Sequence, residues 1–353
     1  MGRSRSPGLR RRGSIWHIEK QVRGVGRICE STGTHDLEEA QRYLAKRMED
    51  IRQATVYGVR PKRSFREAAT KYLLEHQHKA SIACDGLFFR QLDAYIGDRR
   101  LDQVHDGTLR RFVEDRRNDG RKTKTVNLAL SAVRRVLNLA ARKWRDEHGL
   151  TWLQTAPLIS MLPVTDARVP YPLSWQEQRL LFQELPTHLA RMALFKVNTG
   201  TRDQEVCGLR WEWEIRIPEL DTSLFLIPGK FVKNREDRVV VLNAVAKRVI
   251  DEVRGSHPHQ VFTYQGNAVE TMHNSGWQAA RARAAKNYQA ESNEPTPEGF
   301  KNIRVHDLKH TFGRRLRAAG VSLETRKVLL GHTTGDITSH YSAPELHELI
   351  EAV

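Results

Sequence analysis

Cysteine is scarce, with three in 353 residues. Cys29, Cys84 and Cys207 are odd in number and far apart, so neither a disulfide framework nor a cysteine-type zinc site is expected, and a reducing cytoplasm is the expected setting. Long apolar runs are also lacking. No window reaches the roughly eighteen apolar residues of a membrane span. The basic N-terminus, MGRSRSPGLRRRG, has no apolar stretch behind it, so no export signal is expected. Internal repeats are absent, and the one low-complexity stretch is the polar segment 287–299, read as a loop. Positive charge, in contrast, is abundant: 58 Lys and Arg against 42 Asp and Glu, a formal net charge of +16. The excess is clustered. Arg3, Arg5, Arg10, Arg11 and Arg12 sit in a stretch with no acid, and 110–145 is strongly basic, which points to a polyanionic partner, nucleic acid above all, rather than to a solubilising surface.

The length suits two or three domains. After the basic tail, 14–34 holds short β-favouring runs broken by Gly24, Gly26 and Gly33, which predicts a small meander of hairpins. Asp36 with Glu39 has the pattern of a capping box, and Leu37, Ala40, Leu44, Met48 and Ile51 then recur at helical spacing. This three-strand-plus-helix module, residues 1–58, resembles the arm-type DNA-binding domain at the N-terminus of many phage integrases; an oligomerisation module is the other reading. Gly58 and Pro61 mark a linker. From 63 to 155 the pattern is helical. In the strongest helix Leu130, Val133, Leu137, Ala140 and Trp144 form an apolar stripe, while Asn127, Ser131, Arg135, Asn138 and Arg142 line the opposite side. With Arg121, Lys122 and Lys124 just ahead, Asn127, Arg135, Asn138 and Arg142 are candidate DNA contacts, weighed against a plain solvated face. Pro157, Pro163, Pro170 and Pro172 mark a second boundary. A third domain, 172–353, opens with a capping box at Ser174 and Glu177 and is mainly helical, with a hairpin between Phe225 and Leu242. The expected fold is therefore mainly α with small β elements.

Three patterns in this last domain carry chemistry. The first is Thr199-Gly200-Thr201-Arg202-Asp203-Gln204-Glu205, where Gly200 can end one helix and Arg202 stands near the start of the next. The second is His306-Asp307-Leu308-Lys309-His310-Thr311-Phe312, followed by Leu329-Leu330-Gly331-His332. The third is Thr338-Ser339-His340-Tyr341, nine residues beyond His332. In this order the three resemble the catalytic domain of the tyrosine recombinases of the phage integrase family, over about 174–343.

The resemblance implies a division of labour that the chemistry of each group suits. Tyr341 is the expected nucleophile, giving a 3′-phosphotyrosine and a free 5′-hydroxyl. Arg202 is expected to grip two nonbridging phosphate oxygens with its planar fork. His306 and His332 donate to the phosphate, His306 also helping to move the tyrosine proton. Glu205, one turn from Arg202, is a supporting residue that orients it. The leaving 5′-oxygen needs a general acid, and Lys233 fits the family's hairpin spacing to the apolar run Val239–Leu242, with Lys230 as its competitor. Lys309 stands where the family carries a second arginine, keeping the charge and losing the bidentate fork. No metal or other cofactor is expected.

Other readings stay open from sequence. His306 and His310, one turn apart with Asp307 between them, have the look of a zinc-hydrolase helix, although Lys309, Arg314 and Arg315 would repel a dication. A noncatalytic DNA-binding regulator of the same shape, or a relaxing type IB topoisomerase, are the others. The resemblance further implies double-stranded attachment sites as partner, a homotetramer passing through a Holliday junction, and the prospect of a host DNA-bending protein and an excision factor. In 344–353, Leu346, Leu349 and Ile350 are spaced as on a helix, which could dock on a neighbouring protomer or on its own domain.

Overall fold

The computed structural model describes residues 7–23, 25–218, 222–331 and 343–353, the side chains of 343–346 excepted. The chain divides into two compact units, 1–168 and 169–353.

The first unit begins with an antiparallel sheet of β1 (Leu9–Arg12), β2 (Ile15–Val22) and β3 (Gly26–Ser31), in that order. The sequence reading starts the meander at Ser14, but the first strand lies inside the basic stretch. Charge is tolerated there because β1 is an edge strand, where arginines guard against unwanted pairing. Glu19 on β2 supplies the acid that the tail lacks, lying 3.5 Å from Arg10 and 3.6 Å from Arg12. Helix α1 (Leu37–Thr55) starts at Asp36, whose carboxylate accepts from the Glu39 backbone N–H at 2.8 Å. It lays Ile51 on Ile18 and Ile28.

The helices α2 (Phe65–Glu75), α3 (Ile82–Ile96), α4 (Asp106–Asn118) and α5 (Thr123–Arg142) follow. The apolar stripe of α5 is buried throughout, Val133 and Leu137 completely, against Phe65, Tyr72, Leu92 and Phe112. Arg47 of α1 forms a bidentate pair with Glu147 at 2.8 and 2.7 Å, and Arg60 donates to the Thr151 carbonyl at 2.9 Å, so the N-terminal sheet module is tied to the end of the helical one.

The second unit is built round α7 (Thr187–Thr199), which packs against α9 (Ala244–Val253) and α12 (Val305–Ala318), while α10 (Ser275–Ser292) packs on α6 (Trp175–Glu184). The Ser174–Glu177 capping box is present. After α8 (Asp203–Cys207) comes a second antiparallel sheet, β4 (Glu214–Ile217), β5 (Thr222–Ile227) and β6 (Arg238–Val241), the last two forming the expected hairpin. Its two faces serve different cores. Phe225 and Val240 join Phe195, Leu189 and Trp277, whereas Leu224, Val239 and Val241 meet Phe312, Leu316 and Leu329. A two-stranded ribbon of β7 (Thr263–Tyr264) and β8 (Asn267–Ala268) precedes α10, and α11 (Glu298–Lys301) and α13 (Leu323–Leu329) flank α12.

The segment 287–299, read as loop, is helical up to Ser292. Asn287 donates to Glu184 at 2.8 Å and Tyr288 stacks obliquely on Phe300, and the helix stops only where Asn293 turns left-handed at φ 55°. The final helix, α14 (Ala343–Glu351), lies on its own unit: Leu349 is buried in the second core, and Thr325 donates to Glu348 at 2.7 Å. Among the described residues no helix is long and apolar enough to cross a membrane.

Candidate active site

The turn 199–202 is shaped by glycine. Gly200 ends α7 at φ +64°, and a Cβ there would lie 2.5 Å from the Phe312 ring. Thr199 and Thr201 hydroxyls meet at 3.0 Å beneath it, and the buried Lys196 ammonium donates to the Thr201 carbonyl. Arg202 then stands at the N-cap of α8, one-fifth exposed. Its Nη1 donates to Glu205 Oε1 at 2.6 Å, its Nη2 to the Gly331 carbonyl at 2.7 Å, and its backbone N–H to Glu205 Oε2 at 2.7 Å. Glu205 is buried, which by itself would raise its carboxyl; Arg238 and Arg202 outweigh burial and hold it below the usual range.

Lys309 comes from α12 and donates to the Leu330 carbonyl. It is 4% exposed, and burial, reinforced by the charges of Arg238 and Arg202, pushes its ammonium down to about 6. Asp307, also buried, accepts from the Arg304 backbone N–H at 2.8 Å and the Tyr171 N–H at 3.2 Å, which anchors the start of α12. His306 reaches solvent at the surface of the same helix. Partial burial and the nearby Lys196, His310 and Lys309 press its imidazole down to about 4, so it is held neutral at pH 7.

Arg202, Glu205 and Lys309 therefore meet in one cluster, on the carbonyls of the turn that leads into His332. His332 and Tyr341 lie outside the described residues. Lys233 stands exposed in the loop before β6, which is closed by the Gly229 N–H donating to Asp237 at 2.7 Å. Lys230 lies 5.0 Å over the Phe231 ring. The His306 and His310 rings meet edge to face at 4.9 Å, and among the described residues no cluster of three His, Cys, Asp or Glu side chains could hold a metal ion. With Lys196 and Lys309 close by, the zinc reading is not favoured.

Of the candidate DNA contacts, Arg121, Lys122, Lys124, Arg135 and Arg142 are exposed. Three on that face also bond within the protein. The Asn127 amide donates to the Leu162 carbonyl at 2.8 Å and accepts from its N–H at 2.9 Å. Arg135 donates to the Tyr72 hydroxyl at 3.1 Å and lies 3.7 Å from Asp85, and Asn138 donates to the Arg134 carbonyl at 2.9 Å.

Two members of the cluster escaped sequence reasoning. Arg238 heads the apolar run Arg238-Val239-Val240-Val241-Leu242, and Lys196 interrupts Ala193-Leu194-Phe195-Lys196-Val197. A charge inside an apolar segment is the signal that could have found them, since it must be paired to be buried.

Residues 175–347 match the phage integrase family. The chain belongs to that family and is a tyrosine recombinase. Among curated relatives it is similar to the integrase of Salmonella phage P22, 24% identical over 95% of this chain and 90% of that one. It is also similar to the tyrosine recombinase XerC of Xanthomonas campestris pv. campestris, 26% identical over 72% of this chain and 76% of that one. Among solved structures it is similar in fold to a lambda integrase tetramer bound to a Holliday junction, with a TM-score of 0.55 at 12% identity over 96% of this chain and 99% of that one.

Proposed function

We propose that this chain carries out site-specific DNA recombination, integrating or excising a phage or other mobile element by breaking and rejoining strands through Tyr341. The observation that carries the reading is the cluster of Arg202, Lys309 and Glu205 on the carbonyls of Leu330 and Gly331, directly ahead of His332. Such a cradle of cations suits the charge that gathers on a phosphorane. In the proposed step the Tyr341 oxygen bonds to phosphorus as the bond from phosphorus to the 5′-oxygen breaks. The tyrosine proton passes to His306, Lys233 protonates the departing 5′-oxygen, and Arg202, Lys309 and His332 hold the nonbridging oxygens. Attack of a 5′-hydroxyl from the partner duplex reverses the step and joins the strands. Side chains supply everything this chemistry needs, without metal or nucleotide.

Three domains serve this role: 1–58 for distal arm DNA, 63–155 for core DNA and 172–353 for catalysis. Within the core-binding domain, exposure supports Arg121, Lys122, Lys124, Arg135 and Arg142 as phosphate contacts, Arg135 from beside Tyr72 and Asp85, while Asn127 and Asn138 shape that surface from their internal hydrogen bonds. By analogy with the DNA-bound tetramer of the structural relative, we take the working unit as four protomers on two attachment sites, acting in the cytoplasm, with a host DNA-bending protein and an excision factor as further partners.

The test uses a nicked duplex bearing the half-site that the protein selects from a random-sequence library. With a chelator present and ATP absent, the protein should accumulate a covalent adduct at a 3′ end and leave a 5′-hydroxyl that a polynucleotide kinase can label. An adduct at the 5′ end, or cleavage abolished by the chelator, would refute the mechanism.

A further inference from the structure

Arg238 opens β6 and is 3% exposed, an arginine where packing alone would be served by another valine. Burying a guanidinium is costly unless its surroundings compensate it. Here it is met by three separate elements. Its Nε lies 3.0 Å from Glu205 Oε2 on α8, and its Nη2 donates to the Leu329 carbonyl at the end of α13 at 3.0 Å and to the Gly200 carbonyl at 3.4 Å. A Cβ on Gly331, which adopts φ +59°, would lie 1.8 Å from Nη1, so the guanidinium occupies the space of the missing side chain.

We infer that Arg238 is a positioning residue for strand cleavage, holding Glu205, and through it the Arg202 guanidinium, in register with the turn that leads into His332. The inference rests on the functional reading above. Three successive carbonyls of that turn each accept from a different side chain: Leu329 from Arg238, Leu330 from Lys309 and Gly331 from Arg202. Glu205 is shared as well, with Oε1 on Arg202 Nη1 and Oε2 on both the Arg202 backbone N–H and Arg238. Arg202 therefore has two supports, Glu205 and Gly331, and Arg238 braces both. With its guanidinium turned to Glu205 and to the Leu329 and Gly200 carbonyls, Arg238 acts on the site from behind and does not itself reach DNA. Lysine cannot replace it, because a point charge on a flexible stem does not present fixed donors to a carboxylate and two carbonyls at once.

The experiment compares wild type, Arg238→Lys and Gly331→Ala on the nicked half-site duplex selected by wild type, with the scissile linkage as a phosphodiester, a methylphosphonate or a 5′-bridging phosphorothiolate. Thermal unfolding and gel-shift affinity are measured alongside. Gly331→Ala crowds Arg238 from the opposite side without altering β6, so it tests the same frame should Arg238→Lys fail to fold. Both variants should bind DNA as wild type does yet cleave the phosphodiester about a hundredfold more slowly, the scale of losing one preorganised donor. On the methylphosphonate, whose neutral phosphorus relies less on Arg202, the gap to wild type should shrink to about threefold. The phosphorothiolate should leave the gap unchanged. An equal gap on all three linkages would mean that Arg238 only supports the fold; closure on the phosphorothiolate would mean that it serves the leaving group; no gap would remove the role altogether. Failure of wild type to form an adduct on any linkage would instead overturn the functional reading and this inference with it.

Discussion

Lys309→Arg should uncouple recombination from a proton. Lys309 is enclosed by α12 and faced by Arg202 and Glu205 of the α8 segment, Arg238 of β6 and Lys196 of α7; burial and the cations among these push it down to about 6 from 10.5. In the free protein at pH 8 the amine is neutral, and restoring its charge costs about 2.7 kcal/mol, at about 1.4 kcal/mol per pH unit. An arriving phosphate supplies the negative charge that makes protonation favourable, so docking of the scissile phosphate should take up close to one proton at pH 8. Arginine stays charged throughout and needs none. Calorimetric titration of the nicked duplex in buffers of different ionisation enthalpy should show uptake for wild type and its loss in the variant. Taking the ratio of single-turnover cleavage rates, variant over wild type, cancels ionisations common to both. With protein below saturation, so that the rate reports the free protein, that ratio should rise by about fiftyfold between pH 6 and pH 8, as the protonated fraction of Lys309 falls from about one half to about one in a hundred. The sign for stability is the same. Between about pH 6 and 10.5 the unfolded chain keeps the proton that folded Lys309 has lost, so the wild-type fold gains stability from this group as pH rises and lacks that gain below pH 6. A flat rate ratio with equal proton uptake would refute the reasoning. A hundredfold loss of cleavage in the variant at every pH would show that lysine has a role arginine cannot fill.

Gly200→Ala should destabilise the second unit by roughly 2–5 kcal/mol, combining left-handed strain with overpacking against Phe312. Gly120→Ala, at φ +71° with nothing within 4 Å of its Cβ, should cost only the strain, about 1–2 kcal/mol; equal shifts in thermal unfolding for the two would contradict the close-approach argument. Removal of residues 1–60 should lower affinity for arm DNA and flatten its dependence on salt, because Arg10 and Arg12 no longer release counterions, while adduct formation at the core half-site persists. Unchanged arm binding in a gel-shift salt series would overturn the assignment of the N-terminal module.

Legibility followed the range of the interactions. The caps at Asp36 and Ser174, the buried stripe of α5 and the β5–β6 hairpin are local patterns of three to twenty residues, and each was readable directly. Strand β1 was not, because Arg10 and Arg12 are polar on their own and become a strand only when Glu19 of β2 lies beside them. The far end of α10 was hidden for a similar reason, its polar residues being held by Glu184 about a hundred positions away. In the site, Arg202, Glu205, His306 and Lys309 were legible through ordered motifs. Arg238 and Lys196 were not, since the partners of Arg238 come from other elements, Lys196 reaches the Thr201 carbonyl past the end of its helix, and no local periodicity records either. The polar face of α5 was legible as a face but not in its partners: helical spacing put Asn127 and Arg135 on one side, and only the fold shows Asn127 bonded to Leu162 and Arg135 beside Tyr72 and Asp85.

Recombination by this route requires Tyr341 to form the covalent bond to DNA. Tyr341→Phe removes one oxygen and keeps the ring, so DNA affinity should change little while the nucleophile is lost. On the nicked half-site duplex, in chelator and without ATP, wild type should accumulate the 3′-phosphotyrosine adduct, and the variant should shift the same DNA in a gel while forming none. A covalent adduct formed by Tyr341→Phe would contradict the account.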